Sequence, residues 1–212
     1  MIGLMKNDLI INYFDKIIPN PRCELEYSKD YELLIAVMLS AQTTDKRVNS
    51  VTEVLFKKYN SLELLSKAKI EDIIEIIKPI GTFRKKASNV IMISKLLLPL
   101  GYVPNDRSFL ESLPGVGRKT TNVVLGILYN EPCIAVDTHV ARVSKRLGLV
   151  SNNDDVLTIE KKLTKRFKNN NLLRLHHQFI LFGRYTCKAM KPNCLSCELK
   201  NICKEKFIQK DV

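Results

Sequence analysis

No apolar run in this 212-residue chain is long enough to cross a bilayer. The longest, such as ELLIAVMLSA, fall well short of the roughly 20 residues a transmembrane helix needs. The opening stretch MIGLMKNDLIINYFDKII sets Asp8 and Asn12 within its apolar pattern and ends in no small-residue cleavage site. It is therefore read as an amphipathic helix of the fold and not as an export signal, and a cytoplasmic protein is expected. Nothing alternates convincingly between apolar and polar residues, as a half-buried strand would. No low-complexity tract or long linker marks a domain boundary, and no heptad seam or exposed apolar stripe asks for a second copy. A monomer is expected.

Acidic residues are also in short supply. Against 34 Lys and Arg stand 22 Asp and Glu, giving a net charge of +12. A polyanionic partner is the natural inference, although a lysine-rich composition bias would produce the same number. With 45% hydrophobic residues the chain can bury a substantial core, which excludes a disordered tail.

What is present is helical period. YELLIAVML, VNSVTEVLFKKY, IEDIIEIIK, KASNVIMISKLLL, TNVVLGILY, HVARVSKRLG, DVLTIEKKLTKRF and LHHQFILFGRYTC all place apolar residues three and four apart. Pro and Gly punctuate them at Pro79–Gly81, Pro99–Gly101, Pro114–Gly117 and Gly148. An all-α protein of about ten short helices follows. FRKKASNVIMI and VGRKTTNVVLGI echo each other 33 positions apart, pairing Lys86 with Lys119 and Asn89 with Asn122. Only the second copy carries a Gly-x-Gly turn, which singles out Lys119.

LPGVGRKTTNVV, residues 113–124, has the composition of an anion site. Pro114 fixes one backbone angle, while Gly115 and Gly117 are open to conformations a β-carbon forbids. A helix then starts, and its first amides have no internal partners. Those donors and the positive end of the helix dipole suit a phosphate. An ordinary turn between two packed helices would use the same residues. Lys119 falls in the first turn, with Val116 three before it and Val123 four after, so its stem is expected beside an apolar stripe. The helix N-terminus and desolvation would both disfavour an ammonium ion there, and a neutral amine is a nucleophile that forms Schiff bases. A solvated phosphate-contacting lysine is the plainer alternative.

Asp137, in CIAVDTHVARVSKRLG, follows an apolar stretch and precedes a new helix, the position of an N-cap. An ionised carboxylate beside a desolvated amine is also the pairing required for attack on a sugar carbon bearing positive charge.

Cys23 and Cys133 are isolated, whereas Cys187, Cys194, Cys197 and Cys203 follow one another as Cys-x6-Cys-x2-Cys-x5-Cys. Without an export signal such a cluster suggests metal before disulfides. Four thiolates hold tetrahedral zinc or a [4Fe–4S] cluster. Structural zinc sites usually bring two close Cys pairs, and only Cys194 and Cys197 form one here, so the spacing favours iron–sulfur. Lys188 and Lys191 stand in the loop between the first two cysteines and are suited to pressing on a DNA backbone, or to plain solvation.

MLSAQTTDKRVN, LPGVGRKTTNVVL, AVDTHVARV and GRYTCKAMKPNC, together with the Cys spacing, resemble the endonuclease III family of helix-hairpin-helix DNA glycosylases across nearly the whole chain. The resemblance implies a bifunctional enzyme of base-excision repair, at work on the nucleoid. It would remove oxidised pyrimidines from duplex DNA and cleave the abasic site by β-elimination through a lysine Schiff base. It also implies two helical domains, residues 23–132 with the hairpin and residues 1–22 plus 133–212 ending in the [4Fe–4S] loop, with DNA across the cleft between them. Lys119 and Asp137 become the catalytic pair. The hairpin residues Gly115, Val116, Gly117 and Arg118 become DNA contacts. Gln42 would fill the gap left by the extruded base; its plainer role is as a loop residue before a helix capped by Thr43 or Thr44. Two positions depart from the family pattern. Thr82 stands where a bulky aliphatic wedge is common, and Phe182 where a histidine is expected. An adenine-removing mismatch glycosylase would lack the hairpin lysine, and a non-catalytic helix-hairpin-helix DNA-binding protein would have no need of Asp137.

Overall fold

A computed structural model describes residues 2–205, with side chains from Met5 onward. Met1 and residues 206–212, which the expected domain limits include, lie outside the described residues. Among the described residues there are eleven α-helices and no strand. None of these helices is long and apolar enough to cross a membrane.

The chain forms two compact units, one contiguous, Cys23–Asn130, and the other joining the chain up to Arg22 with the chain from Glu131. In the contiguous unit, α2 (Asp30–Leu39) is buried from Tyr31 to Leu39, so it has no solvent face and forms the axis of the core. Helices α3 (Asp45–Lys58), α6 (Phe83–Leu97) and α8 (Arg118–Tyr129) pack directly on it. The short α4 (Leu62–Ser66) and α5 (Ile70–Ile77) pack on α6, and α7 (Arg107–Ser112) packs on α8. Local chemistry sets the starts: Ser61 accepts from the Leu64 amide, and Asp106 from that of Phe109. Each such cap contributes on the order of 1 kcal/mol.

The second unit brings α1 (Ile2–Ile17) together with α9 (Thr138–Arg146), α10 (Val156–Arg166) and α11 (Leu172–Leu181). Its core is aromatic. Phe14 meets Phe179 edge to face with ring centroids 5.1 Å apart, and meets Phe182 at 5.0 Å. Such pairs add about 0.5–1.5 kcal/mol beyond the area they bury. Phe182, the departure from the expected histidine, is therefore a core residue, 1% exposed. It opens a single π-helical turn, Phe182–Thr186, closed by the Cys187 amide donating to the Phe182 carbonyl at 2.7 Å. The turn delivers the chain to the first of the four clustered cysteines.

His177, in α11, is buried, and burial pushes its pKa down to about 4. It is neutral in the fold, while the unfolded chain takes up a proton below about 6.5. Stability is thus present above pH 6.5 and lost as pH falls towards 4, by roughly 2–3 kcal/mol at pH 4.5. Urea unfolding at pH 7 and pH 4.5 checks this: His177→Gln should remove that share of the acid sensitivity, and an unchanged difference would refute it.

Candidate functional site

The hairpin is built as a tight turn between α7 and α8. Gly115 is left-handed, with φ +79°, and a β-carbon there would come within 2.3 Å of the Asn89 side-chain amide, so the position needs glycine twice over. Gly117 differs from the sequence expectation. It is the N-cap of α8 with φ −110°, and a β-carbon would meet nothing within 4 Å, so this chain's own packing does not demand glycine. The open space beside it leaves room for a ligand to approach the backbone. Val116 lies between the two glycines with its side chain buried, and its amide donates to the Leu113 carbonyl at 3.1 Å, so it anchors the turn. Among the described residues none accepts from the Gly115 or Gly117 amides.

Arg118 and Lys119 occupy the first turn of α8, and both are exposed. The expected desolvation of Lys119 beside Val116 and Val123 is therefore not supplied by the chain. The reason is helical register: Thr121, Asn122, Val124 and Leu125 face the core, and position 119 falls on the opposite side. Its echo partner has the reverse fate. Lys86 is 4% exposed on α6, and its ammonium donates to the Leu39 and Ala41 carbonyls, each at 2.8 Å, and to Thr43 Oγ1 at 3.2 Å.

The backbone is strained at three of the other candidate contacts. Among the described residues the non-glycine positions with left-handed φ are Gln42 (+57°), Thr82 (+54°), Asn130 (+55°) and Lys191 (+48°). Asn130 ends α8, a position where asparagine tolerates this conformation. The other three are exposed and have no such local reason. Strain of this kind, on the order of 1–3 kcal/mol each, clusters at functional sites. Thr82 caps α6 without a side-chain bond to the helix, and Thr44 holds the N-cap of α3, also without one, so capping does not account for the SAQTTD loop.

In the second unit, Ile134, Ala135 and Val136 are buried and lead to Asp137, the N-cap of α9. Its Oδ1 accepts from the Val140 amide at 2.8 Å, which fixes the carboxylate direction. Two residues on, His139 packs against Gly183, where a β-carbon would lie 2.8 Å from the His139 Cβ. Burial holds the His139 imidazole below its ordinary pKa.

Cys187, Cys194, Cys197 and Cys203 line one cavity, shared with Arg146, Phe182 and Leu199. Burial pushes the Cys194, Cys197 and Cys203 thiols up, and the charges of the neighbouring cysteines add to it. A sulfur-seeking cationic group is the partner that relieves such a set. Two arginines that the sequence reading passed over hold this loop. Arg146, 7% exposed, donates to the Lys188 carbonyl at 2.7 Å, the Ala189 carbonyl at 3.2 Å and the Cys187 sulfur at 3.4 Å. Arg142 donates to the Gly183 carbonyl at 2.8 Å and the Cys187 carbonyl at 3.2 Å. Their signal was a pair of cations four apart on α9, one at a core-facing position. Lys188 and Lys191 are both exposed on the loop so held.

A hairpin of two short helices around a glycine turn, within an all-helical chain, defines a class. Residues 35–169 match the model of the HhH-GPD superfamily base excision DNA repair proteins. Endonuclease III of Bacillus subtilis is 44% identical over 97% of this chain and 94% of its own, and that of Rickettsia felis 46% identical over 92% of each. A trapped endonuclease III–DNA covalent intermediate superposes with a TM-score of 0.88 at 45% identity, covering 94% of this chain and 96% of the other. A thermostable thymine-DNA glycosylase, 21% identical with a TM-score of 0.81, shares the fold. The chain belongs to the endonuclease III family, and its activity is that of a base-excision DNA glycosylase and abasic-site lyase.

Proposed function

We propose that this enzyme removes oxidised pyrimidines from duplex DNA with Lys119 as nucleophile and Asp137 as the carboxylate that stabilises positive charge at the sugar. One observation carries the assignment. Of the two lysines in matching register, Lys86 is buried with its ammonium spent on three acceptors, whereas Lys119 is exposed immediately after the glycine turn. The damaged nucleotide is extruded at a cost of a few kcal/mol, lower for a damaged base. Lys119 Nζ, as the free amine, bonds to C1′ while the C1′–N bond breaks. The base leaves with that electron pair and takes up a proton. Opening of the sugar ring gives an imine, loss of a C2′ proton expels the 3′ oxygen, and the strand breaks on that side. The Gly115 and Gly117 amides, with the first turn of α8 and Arg118, hold a phosphate. Gln42 fills the vacated space, Thr82 lies towards the opposite strand, and Lys188 and Lys191 contact the backbone. The protein acts as a monomer in the cytoplasm, on the nucleoid.

Cys187, Cys194, Cys197 and Cys203 would hold a [4Fe–4S] cluster. The donor set suits it: the four cysteines line one cavity, and among the described residues they do not converge as the ligands of a single ion would. When bound, the cluster supplies a rigid cross-link between loop segments and no step of the reaction. The purified protein should be brown and contain about four irons per chain, the content of such a cluster. Stoichiometric zinc without visible absorbance would overturn the assignment.

Borohydride tests the chemistry. With abasic-site duplex the protein should form a covalent complex that survives denaturation, because borohydride reduces the imine to a stable amine. Strand cleavage without trapping would exclude a Schiff base.

A further inference from the structure

Three turns assigned to DNA within the contiguous unit meet the start of one helix. Thr82 is the N-cap of α6, and its carbonyl accepts from the Lys86 amide at 3.1 Å. Lys86, one turn in, sends its ammonium to the two carbonyls and the hydroxyl that bracket Gln42. Asn89, the next residue on that face, is buried directly beneath Gly115 of the hairpin. Position 86 lies in register with Val90, Ile93 and Leu97, all 0% exposed, so a core-facing site has been given to a cation. An ammonium has three protons, and here there are three acceptors.

The arrangement matters for Gln42 because its left-handed φ of +57° is costly for a side chain with a β-carbon. Leu39 ends α2, where the last carbonyls have no helical donor. Lys86 supplies one donor to Leu39 and another to Ala41, immediately before the strained residue, while Thr43 Oγ1 fixes the residue after it. The loop is thereby held in a conformation that it would not choose by itself, with Gln42 exposed. We propose that Lys86 is a positioning residue for DNA engagement, whose buried ammonium sets the backbone of the Gln42 loop and, through Thr82 and Asn89 on the same helix, holds it in register with the other two DNA-facing turns. This rests on the assignment of Gln42 to the gap left by the extruded base.

The test compares Lys86→Met, Thr43→Val and Gln42→Ala, each checked for parental circular dichroism. Binding is measured to duplex carrying a tetrahydrofuran abasic analogue, and borohydride trapping is measured on single-stranded abasic DNA, which has no vacated space to fill. Lys86→Met should weaken duplex binding by about tenfold or more, the scale of lost charge-assisted hydrogen bonds. Thr43→Val, which preserves the shape and removes one acceptor of three together with the hydroxyl's own bond to the Ala41 carbonyl at 3.3 Å, should weaken it in the same direction by less. Single-strand trapping should stay parental in Lys86→Met and Thr43→Val. The double variant Lys86→Met with Gln42→Ala should bind little worse than the weaker single variant, because both act through one loop. Additive losses, or an equal fall in single-strand trapping, would overturn the proposal and leave Lys86 as a core residue only. If Lys86→Met does not fold, parental duplex binding by Thr43→Val overturns it alone. If Gln42→Ala binds duplex as the parent does, the assignment of Gln42 has failed; if Gln42→Ala is impaired and Lys86→Met is not, the positioning role has failed while that of Gln42 stands.

Discussion

Lys119→Gln is expected to abolish borohydride trapping and strand cleavage at abasic sites while binding abasic-analogue duplex within about threefold of the parent, since the proposed phosphate contact is made by backbone amides. Glutamine is one atom shorter than lysine, is comparably compatible with a helix and removes the nucleophilic amine with its charge. Position 119 is exposed, so the fold has no packing to lose. Base release should fall with cleavage, because in a bifunctional enzyme one attack on C1′ serves both. Trapping at the parental rate would mean that another amine is the nucleophile. Lys86, the nearest by sequence echo, would have to leave three acceptors and a site 4% exposed before it could react.

The second large effect is at Asp137, where two substitutions separate the cap from the charge. Asparagine is as good an N-cap as aspartate and can keep accepting from the Val140 amide, so Asp137→Asn should melt close to the parent. Its base release under single-turnover conditions should nevertheless fall by about a hundredfold or more, the scale for a group acting directly on the transition state. Cleavage of preformed abasic sites should fall by less, because no glycosidic bond remains to break. Asp137→Ala should share the catalytic defect and also lose on the order of 1 kcal/mol of stability with the cap. Parental base release by the asparagine variant would reduce Asp137 to a helix cap.

How much of this was legible depended on whether the cause was local. The helices were readable because their period is carried by neighbouring residues. The Asp137 cap was readable for the same reason: an aspartate between a buried apolar stretch and a helix has one preferred use. What composition does not carry is environment. Within the glycine turn Val116 spends its amide on the Leu113 carbonyl and Gly117 has an ordinary extended backbone, distinctions that need the folded chain. Lys119 was expected beside an apolar stripe, but a side chain's neighbours are set by the register of its helix against the core. Lys86 and Arg146 left a fainter mark, a cation where the helical period calls for an apolar residue, and only their distant acceptors give it meaning.

The interleaved construction of the second unit has a consequence for how the polypeptide is made. Its first helix leaves the ribosome well before the partners that cover it: Gln178, which donates to Asp15, lies 163 positions further on. At elongation speeds of about 5–20 residues per second, α1 must wait roughly ten to thirty seconds for them. The residues of the contiguous unit have all been made once Asn130 is added. Synthesis therefore delivers the hairpin before the carboxylate helix, and leaves an amphipathic segment uncovered in the interval, when a chaperone has the most to bind.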